Sequence, residues 1–102
     1  MPQLIQLQGY ISKGALTVGS NAVKASAGQL GGYCVYDATE DATLTLYDDP
    51  DSANGTVLLK VATDQSAGVF SITDVFPAPI NFALGCYCVL AGTNASCYIY
   101  YR

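Results

Sequence analysis

The stretch Ile80-Asn81-Phe82-Ala83-Leu84-Gly85-Cys86-Tyr87-Cys88-Val89-Leu90-Ala91-Gly92-Thr93-Asn94-Ala95-Ser96-Cys97-Tyr98-Ile99-Tyr100-Tyr101-Arg102 decides how this chain is read. It reads as a strand, a tight turn at Gly92-Thr93-Asn94-Ala95 and a returning strand that runs to the C-terminus. β-Branched and aromatic residues packed densely around a small polar turn predict a hairpin. An even-numbered turn places Leu90 opposite Cys97, Cys88 opposite Ile99 and Cys86 opposite Tyr101. One face is then Cys86, Cys88, Leu90, Cys97, Ile99 and Tyr101; the other is Tyr87, Val89, Ala91, Ser96, Tyr98 and Tyr100. A three-residue turn would shift the register by one and exchange the faces of one strand. In either register both faces carry apolar bulk. One fills the core, and the other needs cover from a loop, an arm or a neighbouring subunit.

Working outward, the rest of the chain alternates in the same manner. A strand is predicted over Leu30 to Asp37, with Gly31-Gly32 marking a bulge or a close backbone approach. The segment Ala42 to Asp48 turns Leu44 and Leu46 inward, and Thr56 to Ala62 places Val57, Leu59 and Val61 on one face with Lys60 opposite. Val69 to Thr73 forms a short strand, and Pro77-Ala78-Pro79 marks a sheet edge or a crossing, since proline donates no ladder bond. Short strands are also expected at Leu16-Val18 and at Val23. Several short strands with no helical period predict an all-β fold, a small antiparallel β-sandwich with jelly-roll-like connections. Residues 15–102 form this single domain. Residues 1–14 are read as an N-terminal arm or an edge strand, because Leu4-Ile5-Gln6-Leu7-Gln8 alternates while Gly9 and Gly14 interrupt it.

Composition narrows the functions. A chain of 102 residues with 51 % hydrophobic and 12 % charged residues can bury a core, and so little charge suggests that a partner covers some of its surface. The net charge of −4 leaves no basic stripe to neutralise phosphates, so no nucleic-acid partner is expected. No run is apolar and long enough to span a bilayer, and the N-terminus lacks the charged-then-apolar order of a secretory leader. No membrane partner is expected, and the chain is expected to fold in a cytosol. There Cys34, Cys86, Cys88 and Cys97 serve as reduced, buried apolar residues. Cys88 and Cys97, diagonal across the predicted hairpin, are too far apart for an unstrained disulfide.

Catalytic and metal chemistry find little support. With no histidine, the commonest general base is missing, and the carboxylates sit mostly in loops, so no enzyme is expected. Cys86-x-Cys88 lacks the gap of a zinc knuckle. The acidic loop 48–55 has oxygen ligands at alternate positions, yet Asn54 comes one place late for a calcium loop. Lys60 stands where the bidentate glutamate belongs. No cofactor and no metal are assigned.

From Val23 onward two blocks carry a resemblance. The first is Ser26-Ala27-Gly28-Gln29-Leu30-Gly31-Gly32-Tyr33-Cys34-Val35-Tyr36 with Thr43-Leu44-Thr45-Leu46-Tyr47-Asp48 and Thr56-Val57-Leu58-Leu59-Lys60-Val61. The second is Pro79 to Arg102, ending Tyr100-Tyr101-Arg102. This order resembles the small β-sandwich structural proteins of tailed-bacteriophage virions, capsid decoration (cement) proteins among them. The four cysteines depart from the aliphatic residues expected at their strand positions. The resemblance implies a virion protein on the outer capsid surface. It would be a homotrimer that binds the major capsid protein and stabilises contacts between capsid subunits. The alternative is a tail or head-fibre module that recognises a host-surface glycan or protein. Interface residues are expected at Tyr87, Tyr98 and Tyr100, and in the arm at Leu4, Ile5 and Leu7.

Overall fold

The structure is a computed structural model and describes residues 9–102. Eight strands follow one another: β1 (Ile11–Thr17), β2 (Gly19–Lys24), β3 (Gly28–Tyr36), β4 (Thr43–Asp48), β5 (Thr56–Ala62), β6 (Ser71–Phe82), β7 (Cys86–Ala91) and β8 (Ser96–Tyr101). A single 3₁₀ turn, Gln65–Ala67, sits between β5 and β6. The strands form two four-stranded antiparallel sheets, the first ordered β1-β8-β3-β6 and the second β2-β7-β4-β5. The pairs β1·β8, β2·β7, β3·β6 and β4·β5 are nested one inside the next, as in one long two-stranded ribbon. Rolling that ribbon up lets β8 also pair with β3 and β7 with β4. This is the jelly-roll arrangement, and the predicted fold class holds.

The hairpin does not. β7 lies in the second sheet and β8 in the first, so Gly92 to Ala95 carries the chain across the sandwich as an arch. The predicted first arm is itself divided: Ile80 to Phe82 finish β6 in the first sheet, and the chain changes sheet again at Ala83 to Gly85. A second arch at Val18 joins β1 to β2 and lies beside the first, with Thr17 in register with Ser96 and Gly19 with Leu90. Alternation fixes which side of a strand is apolar but not which strand lies next to it. Each arm of the arch therefore buries the residues predicted for one face, Cys86, Cys88, Leu90, Cys97 and Ile99, while taking its hydrogen bonds from other strands. Gly92 makes the crossing possible: its φ of +142° suits only glycine, and a Cβ there would press on the Asp37 carboxylate.

The core is one apolar layer between the sheets, with Leu30, Val35, Leu44, Leu46, Leu90 and Ile99 almost wholly excluded from water. Each of the four edge strands departs from regular pairing. β1 has an extra residue between Lys13 and Leu16, and β2 has Val23 between Ala22 and Lys24. In β5 the extra residue is Leu58, between Val57 and Leu59. This bulge corrects the predicted alternation there: Leu59 and Val61 pack on the core, whereas Val57 is turned out and half-exposed. In β6, Phe76-Pro77-Ala78-Pro79 stands opposite Gly31 alone, so the prolines sit on an edge strand at an irregularity, where no ladder donor is needed. The strand predicted to stop at Thr73 consequently runs on to Phe82.

The boundary drawn at residue 14 falls inside β1, whose residues from Ile11 pair with the C-terminal strand. Arg102 anchors this end. Its guanidinium lies 4.5 Å from the centre of the Tyr10 ring, and its Nε donates to Gln29 Oε1 at 2.8 Å. The earlier part of the arm, with Leu4, Ile5 and Leu7, lies outside the described residues.

Candidate functional site

Next to the arches, the outer face of the first sheet is built from three rows in register. They run Ser12-Tyr100-Gly32-Val75, then Tyr98-Cys34-Thr73, then Thr17-Ser96-Tyr36-Ser71. No member of these rows is charged. Glycines on neighbouring strands make room for the aromatic rings. A Cβ at Gly14 of β1 would collide with the ring of Tyr98, and one at Gly32 of β3 would crowd Tyr100. The rings thus lie along the sheet rather than standing out of it, a cross-strand aromatic–glycine packing that also stiffens the face. Tyr98 and Tyr36 still expose 42 % and 47 % of their surface. Burial, helped by the neighbouring Cys34 and Tyr98, raises the Tyr100 phenol above its ordinary pKa, so its hydroxyl is a neutral donor near neutral pH. Cys34, partly buried between them, accepts a hydrogen bond from Thr73 Oγ1 at 3.2 Å. The arrangement offers flat aromatic area edged by hydroxyls and free of charge, a surface suited to contact with another protein.

Of the three tyrosines expected to act together, the structure brings together two. Tyr98 and Tyr100 share the face just described, whereas Tyr87 stands on the outer face of the second sheet, in register with Tyr47 and Ala22. The crossing of the arch separates them. Cys34 and Tyr36 join Tyr98 on the strength of β3·β8 pairing, which the local sequence does not announce.

Where the two arches meet, a groove of about 360 Å³ opens between Thr17, Val18, Thr93, Asn94, Ala95 and Ser96. Asp37, fully buried, braces it. Its Oδ1 accepts N–H bonds from Thr39 at 2.9 Å and Glu40 at 3.1 Å, and its Oδ2 accepts from Asn94 at 3.4 Å. The amide of Asn94 reaches back to Thr39 Oγ1 at 3.2 Å. Donation, that of the Thr39 N–H foremost, outweighs burial and holds the Asp37 carboxyl below the ordinary carboxylate range. Sequence reading passed over this group. Its signal is the Asp37-Ala38-Thr39 order, the start of a turn in which aspartate accepts from the backbone two residues on.

The acidic loop is occupied with its own backbone. Asp48 accepts from the N–H groups of Ala83, Leu84 and Gly85, which stitches the loop after β4 to the crossing before β7. Asp49 Oδ1 accepts from the N–H groups of Asp51 at 3.0 Å and Ser52 at 2.9 Å. Both carboxyls are thereby held below their ordinary values, Asp48 chiefly by Ala83 and Asp49 chiefly by Asp51. Among the described residues, no three cysteine, aspartate or glutamate side chains are grouped to hold a metal ion.

A scan of protein-family models, a search of curated proteins and a search of solved structures each find no match to this chain. What stands is a small all-β two-sheet sandwich with an uncharged aromatic patch on one outer face and a groove at the arches.

Proposed function

We propose that this protein is a capsid decoration (cement) protein, a non-enzymatic module that binds the outer surface of a bacteriophage head and stabilises contacts between capsid subunits. The observation that carries the reading is the outer face of the β1-β8-β3-β6 sheet, where Tyr98 and Tyr100 lie flat beside the exposed Tyr36 on an uncharged patch. The resemblance of the two sequence blocks to virion sandwich proteins points the same way. Because every edge strand is irregular, a partner adds no ninth strand and meets the sandwich on a face. The partners in this reading are the major capsid protein and two further copies of the chain. Purified particles quantified by mass spectrometry test it: the chain should be present in proportion to the major capsid protein.

The groove at the arches favours a second reading, a tail or head-fibre module that recognises a host-surface glycan. Its lining of Thr17, Thr93, Asn94 and Ser96 offers uncharged hydroxyl and amide groups, and Ser96 is in register with the half-exposed Tyr36, whose ring could stack on a sugar. A few copies per particle, together with binding to host cells that the free glycan blocks, would favour this reading over the first.

A further inference from the structure

The arch that overturns the hairpin also places two thiols face to face. Cys88 comes from β7 in the second sheet and Cys97 from β8 in the first, and their sulfurs meet in the core at 3.9 Å. Both side chains are excluded from water, and no residue stands between them. Cys86 points inward from the same strand two residues earlier, while Cys34 belongs to the outer face. Sulfurs in a disulfide lie about 2.0 Å apart, so closing the bond requires an approach of roughly 2 Å, within reach of χ1 rotation and a small approach of the two strands beside their own arch.

We propose that Cys88 and Cys97 are an oxidisable pair whose disulfide ties the two sheets together across the core. The inference does not rest on the capsid reading, since it follows from the position of the pair alone. The oxidant assigned is a peroxide, small and neutral enough to enter when the arch opens locally. One thiol loses its proton, and its thiolate attacks a peroxide oxygen to give a sulfenic acid and release hydroxide, which takes up that proton as water. The second thiol then attacks the sulfenic sulfur, expels a second water and completes the disulfide. The two thiols have lost two hydrogens and two electrons, and the peroxide has become two waters. The hydrogen bond the two thiols share pushes Cys88 up and Cys97 down, so Cys97 supplies the attacking thiolate and Cys88 the resolving thiol. Burial of both sulfurs keeps the reaction slow in the native fold. Under reducing conditions the pair is an ordinary core contact; once oxidised it closes the short loop from Cys88 to Cys97 and limits how far the unfolded chain can open.

The test uses the intact protein treated with hydrogen peroxide, alkylated under denaturing conditions without reduction, and digested with chymotrypsin. Cleavage after Tyr87, Leu90 and Tyr98 separates Cys86, Cys88 and Cys97 into different peptides. The expected result is the Cys88 and Cys97 peptides joined, lighter by two hydrogens, with Cys86 and Cys34 alkylated. The Tm of the oxidised protein should rise by several degrees and fall back on treatment with dithiothreitol. Cys97→Ser should lose that rise, and Cys34→Ser should keep it. Four alkylated cysteines after treatment, oxygen added to a single sulfur without a crosslink, or a bridge that uses Cys86 or Cys34 would each overturn the proposal. The peptide map of the unmutated chain decides the matter even if a core variant fails to fold.

Discussion

Asp37 is fully buried where β3 ends, so its carboxylate depends on the N–H groups of Thr39, Glu40 and Asn94 rather than on water. Its folded pKa lies below the unfolded one, as does that of Asp48. The sign of the effect follows: their contribution to stability is full above about pH 4, the unfolded value, and is lost as the pH falls through the folded values. Asp37→Asn keeps the shape and one acceptor but removes the charge and the second acceptor. The variant should melt several degrees below the parent at neutral pH, and the gap should narrow steadily below about pH 4. Thermal melts across that range check it; parallel curves would mean that the charge of Asp37 contributes nothing. The acidic residues in loops were visible in the sequence, but not which carboxylate would be buried. Asp37 becomes so only when the arch turn, more than fifty residues later, closes over it.

At the scale of the element, the strands and their inward residues were readable because a two-residue period is a local property. The strand read over Leu30 to Asp37 is present as Gly28–Tyr36, with Gly31 at its bulge, and Leu44 and Leu46 of β4 point inward as the sequence places them. Partners are not local. Gly92-Thr93-Asn94-Ala95 has the composition of a hairpin turn, yet hairpin and arch bury the same Cys88, Leu90, Cys97 and Ile99. What separates them is that β1 and β2 supply outer partners for β8 and β7. Val57 escaped for a related reason, since one bulged residue in β5 reverses the alternation beyond it. The arch has a direct spectroscopic consequence. Opposed Hα protons of non-hydrogen-bonded antiparallel pairs lie close enough for a nuclear Overhauser effect. Such contacts are expected from β8 to β1 and β3, and from β7 to β2 and β4. A ladder of them between β7 and β8, centred on Leu90 and Cys97, would restore the hairpin and dismiss the jelly roll.

For the whole molecule, the charges are kept to loops, edges and the chain end, and the part of the first sheet's outer face around Tyr98 is left neutral, with Arg102 at its far end. Four irregular edges discourage strand-to-strand aggregation, so association is directed to faces. Truncating a central interface tyrosine costs on the order of 2 kcal/mol or more of binding. Tyr98→Ala should therefore shift the sedimentation of the purified protein toward monomer. Tyr87→Ala, on the opposite sheet, should not. Equal effects would mean that the two outer faces act together, and no effect from either would leave association to other surfaces. The most direct measurement is a cryo-EM map of the parent particle at side-chain resolution. The account predicts this sandwich on the outer shell in proportion to the capsid subunits, with Tyr98 and Tyr100 in contact with a neighbouring chain. A few copies confined to the tail or a fibre, or a shell-bound sandwich with that face turned to solvent, would contradict it.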